Sequence, residues 1–551
     1  MNRSYLPRGV FTRWPSSPLS SRVALAIGLA AACAFVGLSR INLSAQGLYY
    51  DEIHQVPAAF AYQGKWPQSF AMAFVCGKPL MTMSYSGAIK SGIYGLYLRF
   101  TGSSFTVESW RWLGIATVAV TFPLFSVLAR RQFSAAGLLT FFALLLTDAT
   151  VVLESRHDWG PAALALALRM TFLGTLLYGQ MDGAVRPRNS FLLGVIVGFS
   201  LYEKLSSVVL LPALGILLLC RERWTVGHWC ACLAGGLVGG LPLLYTNYLF
   251  FSETGRLLST LQVAMQRDKS LAGLALLLSK YLALGDGALV RRFILGEDHD
   301  FAGAEAFLLS VALMAVLGLR RAVPASRLPA SLIACYLAVG VGLFLLPRAT
   351  WAHHWVIGTP FQYLALAMAI KGPERPPIRL PRLAFVCRAV LLGAIGVLMI
   401  VRVHGTLDLA RALARGASSD AWDPSLTRLG DLAAEKAGHD FFIAGNWGVA
   451  TQMYCLSDGN LELVSELYHS YEEPMGPRLE TLLDLHRFRA FYLVLKVPPY
   501  APDTTGTRRL IAAIEGHPNL REVPVEEDLA QLAAVKVRKF LWCNYRTAFT
   551  H

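Results

Sequence analysis

The stretch VALAIGLAAACAFVGLSRINLSAQGLYYDE, residues 23–52, decides the fold. From about Val23 to Leu43 it carries a single charge, Arg40, over a length that matches the hydrocarbon thickness of a bilayer at helical rise. A basic arm precedes it (Arg3, Arg8, Arg13, Arg22), and no small-residue cleavage site appears before Tyr49. The run therefore reads as a retained spanning helix rather than a signal peptide. Two adjacent carboxylates, Asp51 and Glu52, then fall at its far mouth. Carboxylates against a bilayer are costly unless solvated or partnered, which makes the pair a functional-site candidate. The plainer alternative is a solvated loop in which Asp51 caps a helix beginning at Glu52.

The rest of the chain repeats the pattern. With 54% hydrophobic and 16% charged residues and a mean hydropathy of +0.46, 551 residues do not make one soluble domain. Apolar runs of about 16 to 22 residues recur through roughly the first 400. Further spans are expected near Trp110–Leu128, Leu138–Leu153, Pro161–Tyr178, Phe191–Leu201, Leu205–Cys220, Trp229–Phe250, Ala306–Leu319, Ala330–Leu346, Val356–Ile370 and Ala384–Val401, about eleven in all. Basic residues fall in alternate short loops: Arg130 and Arg131, Arg186 and Arg188, Arg221 and Arg223, Arg320, Arg321 and Arg327, and Lys371 to Arg382. These loops and residues 1–22 are assigned to the cytoplasm, so the net charge of +14 follows from topology and requires no nucleic-acid partner. The expectation is a mainly α, polytopic inner (plasma) membrane protein with a cytoplasmic N-terminus.

Three pieces face outward on this topology. The first loop, 44–109, interleaves aromatic and charged residues and reads as juxtamembrane helices. A second loop, 251–305, is amphipathic around Leu271–Leu284 and reads as a lid. Residues 404–551 turn soluble in composition and read as an extracytoplasmic α/β domain. Its strands are expected at 441–444, 461–467, 491–497 and 537–542, and its helices at 426–436 and 508–515. The nine cysteines carry no metal signature. A Cys455–Cys543 disulfide is one option on the oxidising side.

The quoted carboxylates, Gly77-Lys78-Pro79-Leu80, Tyr85-Ser86-Gly87-Ala88-Ile89-Lys90, Phe100-Thr101-Gly102 and Trp110-Arg111 together resemble the GT-C membrane glycosyltransferases. Within that fold the likeness is to the branch of protein O-mannosyltransferases and lipid A aminoarabinose transferases, glycosyltransferase family 39. Glu154-Ser155-Arg156-His157-Asp158-Trp159-Gly160-Pro161, Gly194 to Gly198 before Glu203-Lys204, and Arg348 to His354 extend it over residues 23–370. Two departures stand out: Ile53-His54-Gln55 replaces smaller residues after the acidic pair, and the C-terminal domain matches no acceptor module.

The resemblance implies an inverting transfer of a sugar from a polyprenyl-phosphate carrier to a hydroxyl of a cell-envelope glycan, lipid or protein at the outer face. Such a reaction needs a carboxylate to take the hydroxyl proton and cations to hold the lipid phosphate. Asp51 and Glu52 are the catalytic candidates, with Asp51 as base and Glu52 orienting a cation or the acceptor. Substrate-binding candidates are Lys78, Tyr85, Lys90, Arg156, Asp158, Lys204, Arg348, His353 and His354. A surface anchor is the alternative for each cation. No cofactor is implied with certainty; a divalent metal would fall on Asp51 and Asp158. Asp148 and Arg169, inside apparent spans, are expected to pair between helices. The rival reading is a transporter or lipid flippase that uses those two intramembrane charges. A receptor scaffold is a third.

Overall fold

The computed structural model describes residues 19–65, 73–179, 187–219, 224–260, 270–323, 327–346, 350–371, 380–460, 464–466, 475–486, 489–497 and 505–542. It is a mainly helical, multi-pass membrane protein with a C-terminal α/β domain. Among the described residues, seven helices are long and apolar enough to span: Ser21–Ser39, Val107–Ala129, Ala162–Gly179, Val226–Thr254, Ala302–Ala322, Leu328–Leu345 and Pro381–Arg415. Two bent pairs bring the number to nine: Ala135–Leu146 with Ala149–His157, at 63°, and Leu271–Asp286 with Ala288–Leu295, at 76°.

The difference from eleven has a local cause. An apolar run shows hydrophobicity but not continuity. The two spans expected on either side of Lys204, whose backbone is extended (φ −146°), are short: Pro187–Glu203 has 17 residues and Leu205–Leu218 is shorter still. Phe361–Lys371 has only 11 residues. Conversely, part of the expected lid forms the second bent pair.

The first bend is written at Asp148. Its carboxylate accepts the Thr150 N–H at 2.8 Å, and an Asp that caps a helix from mid-run starts a new axis instead of extending the old one. The expected Asp148–Arg169 pair does not form. Asp148 accepts the Tyr363 hydroxyl at 2.6 Å, and Tyr363 in turn receives a 2.8 Å bond from Arg402. Arg169 instead donates to the carbonyls of Thr359 (2.8 Å) and Val356 (3.2 Å), because a guanidinium fork is readily filled by backbone oxygens exposed at a helix break.

Helices Pro187–Glu203 and Val226–Thr254 meet along a glycine seam. A Cβ on Gly194 would lie 1.9 Å from the Cys232 oxygen, and one on Gly198 2.3 Å from the Gly236 oxygen. The reverse contacts are as tight, 2.0 Å at Gly235 and 2.2 Å at Gly239. Backbones approach this closely only where side chains are missing.

Helix Pro381–Arg415 is about 52 Å long at helical rise, well beyond a bilayer core, and carries the chain into the soluble domain. That domain has a five-stranded sheet in the order Val464–Glu466, Phe441–Ala444, Phe491–Lys496, Val535–Trp542, Leu520–Val523. The first three strands are parallel and the last two pair antiparallel. Strand Leu520–Val523 and helices Ala450–Leu456 and Met475–Leu485 were not anticipated; the other expected elements appear within a few residues. Cys455 is a free buried thiol, while Cys543 lies outside the described residues.

The domain does not hang free. Leu48, Ile53, Val56, Phe60 and Trp110 share one core with Leu426, Leu429, Phe442, Met453 and Tyr454. Gly47 N–H donates to the Trp422 oxygen at 2.7 Å, and Gln452 Nε2 donates to the Leu48 oxygen at 3.0 Å. The first loop is thereby built into the soluble domain as much as into the bundle.

Candidate active site

Asp51 sits on the short helix Tyr50–Ile53 and is partly exposed. Its Oδ2 accepts the Trp159 indole N–H at 3.2 Å, and its backbone oxygen accepts the Gly160 N–H at 3.1 Å. Oδ1 has no hydrogen-bond partner among the described residues. Burial raises its pKa above the ordinary 3.8, opposed by the Trp159 bond and by the charges of Lys204 and Lys496. Lys204 approaches from the membrane helices and Lys496 from the soluble domain. Burial lowers Lys496 to about 8, with Asp51 opposing. His54, also lowered by burial, to about 4, is neutral near pH 7.

Glu52, by contrast, is fully engaged. Arg111 grips it with two bonds, 2.6 Å from Nε and 2.8 Å from Nη2, and both side chains are buried. The same guanidinium donates to the oxygens of Leu43 (2.7 Å), Gln46 (2.9 Å) and Gly47 (3.2 Å). Arg156 makes a second clamp on this turn, donating to the oxygens of Ser39, Ile41 and Asn42 and to Gln46 Oε1. Both arginines thus satisfy the carbonyls left open where the first helix ends.

Lys90 pairs with Asp158 at 2.5 Å, in the interior, and lies 3.6 Å over the Trp110 ring. The other Asp158 oxygen accepts the Ala163 N–H at 2.7 Å. Lys204, buried, donates to the carbonyls of Gly160 and His353. Gly160 has φ +66°, and a Cβ there would come 2.9 Å from the His353 ring. That ring lies 4.7 Å from Trp159 and 4.0 Å from His354, and its Nδ1 is buried without a partner. Tyr85 abuts this group through its backbone, accepting the Leu205 N–H at 2.9 Å. His354 Nδ1 accepts the Trp351 N–H at 3.2 Å.

Asp51, Lys204 and His353 therefore surround Trp159 and Gly160, with the Lys90–Asp158 pair beside them. Lys78 is elsewhere: it donates to the Ala61 oxygen at 2.7 Å and covers the Tyr62 ring. Arg348 lies outside the described residues. No group of three His, Cys, Asp or Glu among the described residues is arranged for a metal, and Asp158 is spent on Lys90 and a backbone N–H. The residues do not fit a resident ion.

Sequence reasoning gave no role to three residues at this site. Glu154 is buried, both its oxygens lack a partner, and it lies within electrostatic reach of Lys204, Asp158 and Asp51. The signal was available, since Glu154 and Asp158 stand four apart at the end of a helical run. Trp447 packs 4.4 Å from Tyr50. Lys496 ends the apolar strand FYLVLK, and a charge closing an apolar strand was the only hint of it.

Arg169 also lines a small pocket in the bundle with Phe172, Val197, Ser200, Ser207, Leu210 and Phe361. Its charge is within reach of Lys204. One Arg169 nitrogen, Nη1, is buried without a partner.

No family model and no curated protein sequence matches the chain. Solved structures do. ArnT from Cupriavidus metallidurans superposes with a TM-score of 0.59 in its undecaprenyl phosphate complex, at 13% identity over 93% of this chain and 97% of that one. Its apo state gives 0.60, again at 13%, over 95% and 98%. The arabinofuranosyltransferase AftD from Mycobacteria gives 0.51 at 16% over 96% of this chain, which spans 40% of AftD. The shared architecture is the GT-C fold.

Proposed function

We propose that this GT-C-fold protein transfers a sugar from a polyprenyl-phosphate carrier to a hydroxyl acceptor at the outer face of the membrane, with inversion at the anomeric carbon. The observation that carries the reading is Asp51, one oxygen fixed by Trp159 and the other unpartnered, set between Lys204 on the bilayer side and Lys496 on the soluble side. The likeness to ArnT, whose solved complex holds undecaprenyl phosphate, supports the carrier class.

The carrier phosphate is placed at Lys204, with Arg169 within electrostatic reach. Both cations are buried, where an anion compensates a charge that is otherwise costly. Glu154, with two open oxygens, accepts hydroxyls of the donor sugar. The acceptor hydroxyl gives its proton to Asp51 as its oxygen bonds to the anomeric carbon. The bond from that carbon to the phosphate oxygen breaks, and the electron pair leaves on polyprenyl phosphate beside Lys204. Glu52 positions rather than reacts, because Arg111 occupies both of its oxygens.

The transporter reading loses its charge path. Asp148 and Arg169 are held apart by separate fixed partners. Purified protein incubated with defined polyprenyl-phosphate sugars should release polyprenyl phosphate. Movement of intact sugar-lipid across vesicles without cleavage would favour the flippase instead.

A further inference from the structure

The soluble domain reaches Asp51 through one end of its sheet. Strand Phe441–Ala444 is flanked by parallel strands on both sides, Val464–Glu466 and Phe491–Lys496. The chain leaves it toward the first and later returns to the second. Between Phe441–Ala444 and Phe491–Lys496 the winding therefore reverses. In open parallel sheets, the crevice at the carboxyl ends of the strands at such a reversal is where ligands bind.

Two groups stand at these carboxyl ends. The loop Gly445-Asn446-Trp447-Gly448 follows the first strand, and Lys496 closes the second. Asn446 Oδ1 ties the two by accepting the Lys496 N–H at 2.9 Å. Trp447 packs 4.4 Å from Tyr50, the residue preceding Asp51. Lys496 Nζ lies 5.7 Å from the Tyr49 and Trp447 rings, is 7% exposed, and makes no hydrogen bond or ion pair among the described residues. Gly448, at φ +87°, makes room for it: a Cβ there would stand 3.2 Å from the ammonium. The ammonium feels the charge of Asp51 but bonds no oxygen among the described residues, so its donors are open to a further anion.

We propose that Trp447, Tyr50 and Lys496 form an acceptor subsite for an acidic saccharide, the rings stacking on a sugar face and the ammonium taking its phosphate or carboxylate. This rests on the transferase reading only for the word acceptor. The donor phosphate is served from the bilayer side by Lys204, so the cation on the soluble side is left to the second substrate. Asp51 lies between the two, where the acceptor hydroxyl must be.

The test uses the purified full chain with undecaprenyl phosphate at saturation, so that the donor's phosphate position is filled. Glucose 1-phosphate is the probe and glucose the neutral control, and binding is read by saturation-transfer NMR. Glucose 1-phosphate should bind about tenfold or more tightly than glucose, as for a charge-assisted hydrogen bond. Lys496→Gln should abolish that preference and Lys496→Arg keep it. Trp447→Leu should weaken both ligands, and Lys204→Ala should leave the preference intact. Equal binding of the two ligands by wild type, absence of glucose 1-phosphate binding at millimolar concentration, or a preference that survives Lys496→Gln would each overturn the proposal. A preference lost with Lys204→Ala, or on adding undecaprenyl phosphate, would assign the anion to the donor and overturn it too. An intact Lys496-dependent preference in a protein that cleaves no polyprenyl-phosphate sugar would sink the transferase reading and keep the subsite.

Discussion

Asp51→Asn separates chemistry from architecture at this site. The amide oxygen of Asn can still accept the Trp159 N–H now bonded to Oδ2 at 3.2 Å, and the backbone bond from Gly160 is untouched. Lys204 keeps its carbonyl partners on Gly160 and His353. What disappears is the capacity to take a proton, for which a positioned carboxylate contributes about 10² to 10⁴-fold, or roughly 3 to 5 kcal/mol of barrier. Turnover should fall by that factor, measured as polyprenyl phosphate released from a polyprenyl-phosphate sugar, while binding of the bare carrier stays near wild type. Stability should move the other way. Burial raises the folded pKa above 3.8, so between the unfolded and folded values the native state holds the extra proton and stability declines as pH rises. At neutral pH the ionised carboxylate is thus a cost to the fold, and Asp51→Asn should melt at or above the wild-type temperature. The acid limb of the wild-type rate profile should lie above pH 3.8 for the same reason. Turnover within about threefold of wild type in a folded Asp51→Asn protein would refute the base assignment.

Breaking the Glu52–Arg111 pair should act on folding. Arg111→Met strands a buried carboxylate and is expected to cost about 3 to 5 kcal/mol, seen as a large drop in melting temperature, whereas adding Glu52→Gln should recover part of it. Lys204→Ala should weaken carrier binding by about tenfold or more in a calorimetric titration, since a charged hydrogen bond to phosphate is removed. Gly198→Leu should fail to fold, because its Cβ would fall 2.3 Å from backbone, while Gly37→Leu, with open space around it, should be tolerated; expression and gel filtration compare them. Binding of an acidic saccharide should fade as pH rises through about 8, where Lys496 loses its proton; a titration of glucose 1-phosphate against pH reads it.

The legible part of the molecule was what hydrophobicity and local pattern encode. Runs such as Val107–Ala129 and Pro381–Arg415 declare themselves by composition, and Phe441–Ala444 and Phe491–Lys496 by clustered strand formers. Helix breaks were less legible, because Asp148 inside an apolar run reads equally as a membrane charge or a cap. The cluster around Asp51 was partly visible. Lys204 stood out as an ammonium between apolar runs, whereas nothing in the sequence around Arg156 announced that it clamps the carbonyls at the end of the first helix. Glu52 and Asp51 are adjacent, and only the position of Arg111 tells them apart. Lys496 and Trp447 were hidden for a different reason: they reach the site through a sheet that pairs residues far from the first loop, and no local period reports such a meeting.

The shared core of the first loop and the soluble domain also sets a schedule. Leu48 and Gln452, hydrogen-bonded at 3.0 Å, are 404 residues apart. At ribosomal rates of about 5 to 20 residues per second, the loop bearing Asp51 emerges roughly 20 to 80 seconds before the surface it packs against has been synthesised. Through that interval Leu48, Ile53 and Phe60 lack their C-terminal partners, on the same loop that carries Asp51. The candidate site is therefore completed last, and a ribosome that stops before the C-terminal domain leaves an inserted bundle whose first loop holds its bundle contacts, such as Glu52–Arg111 and Lys90–Asp158, but not the other half of its core.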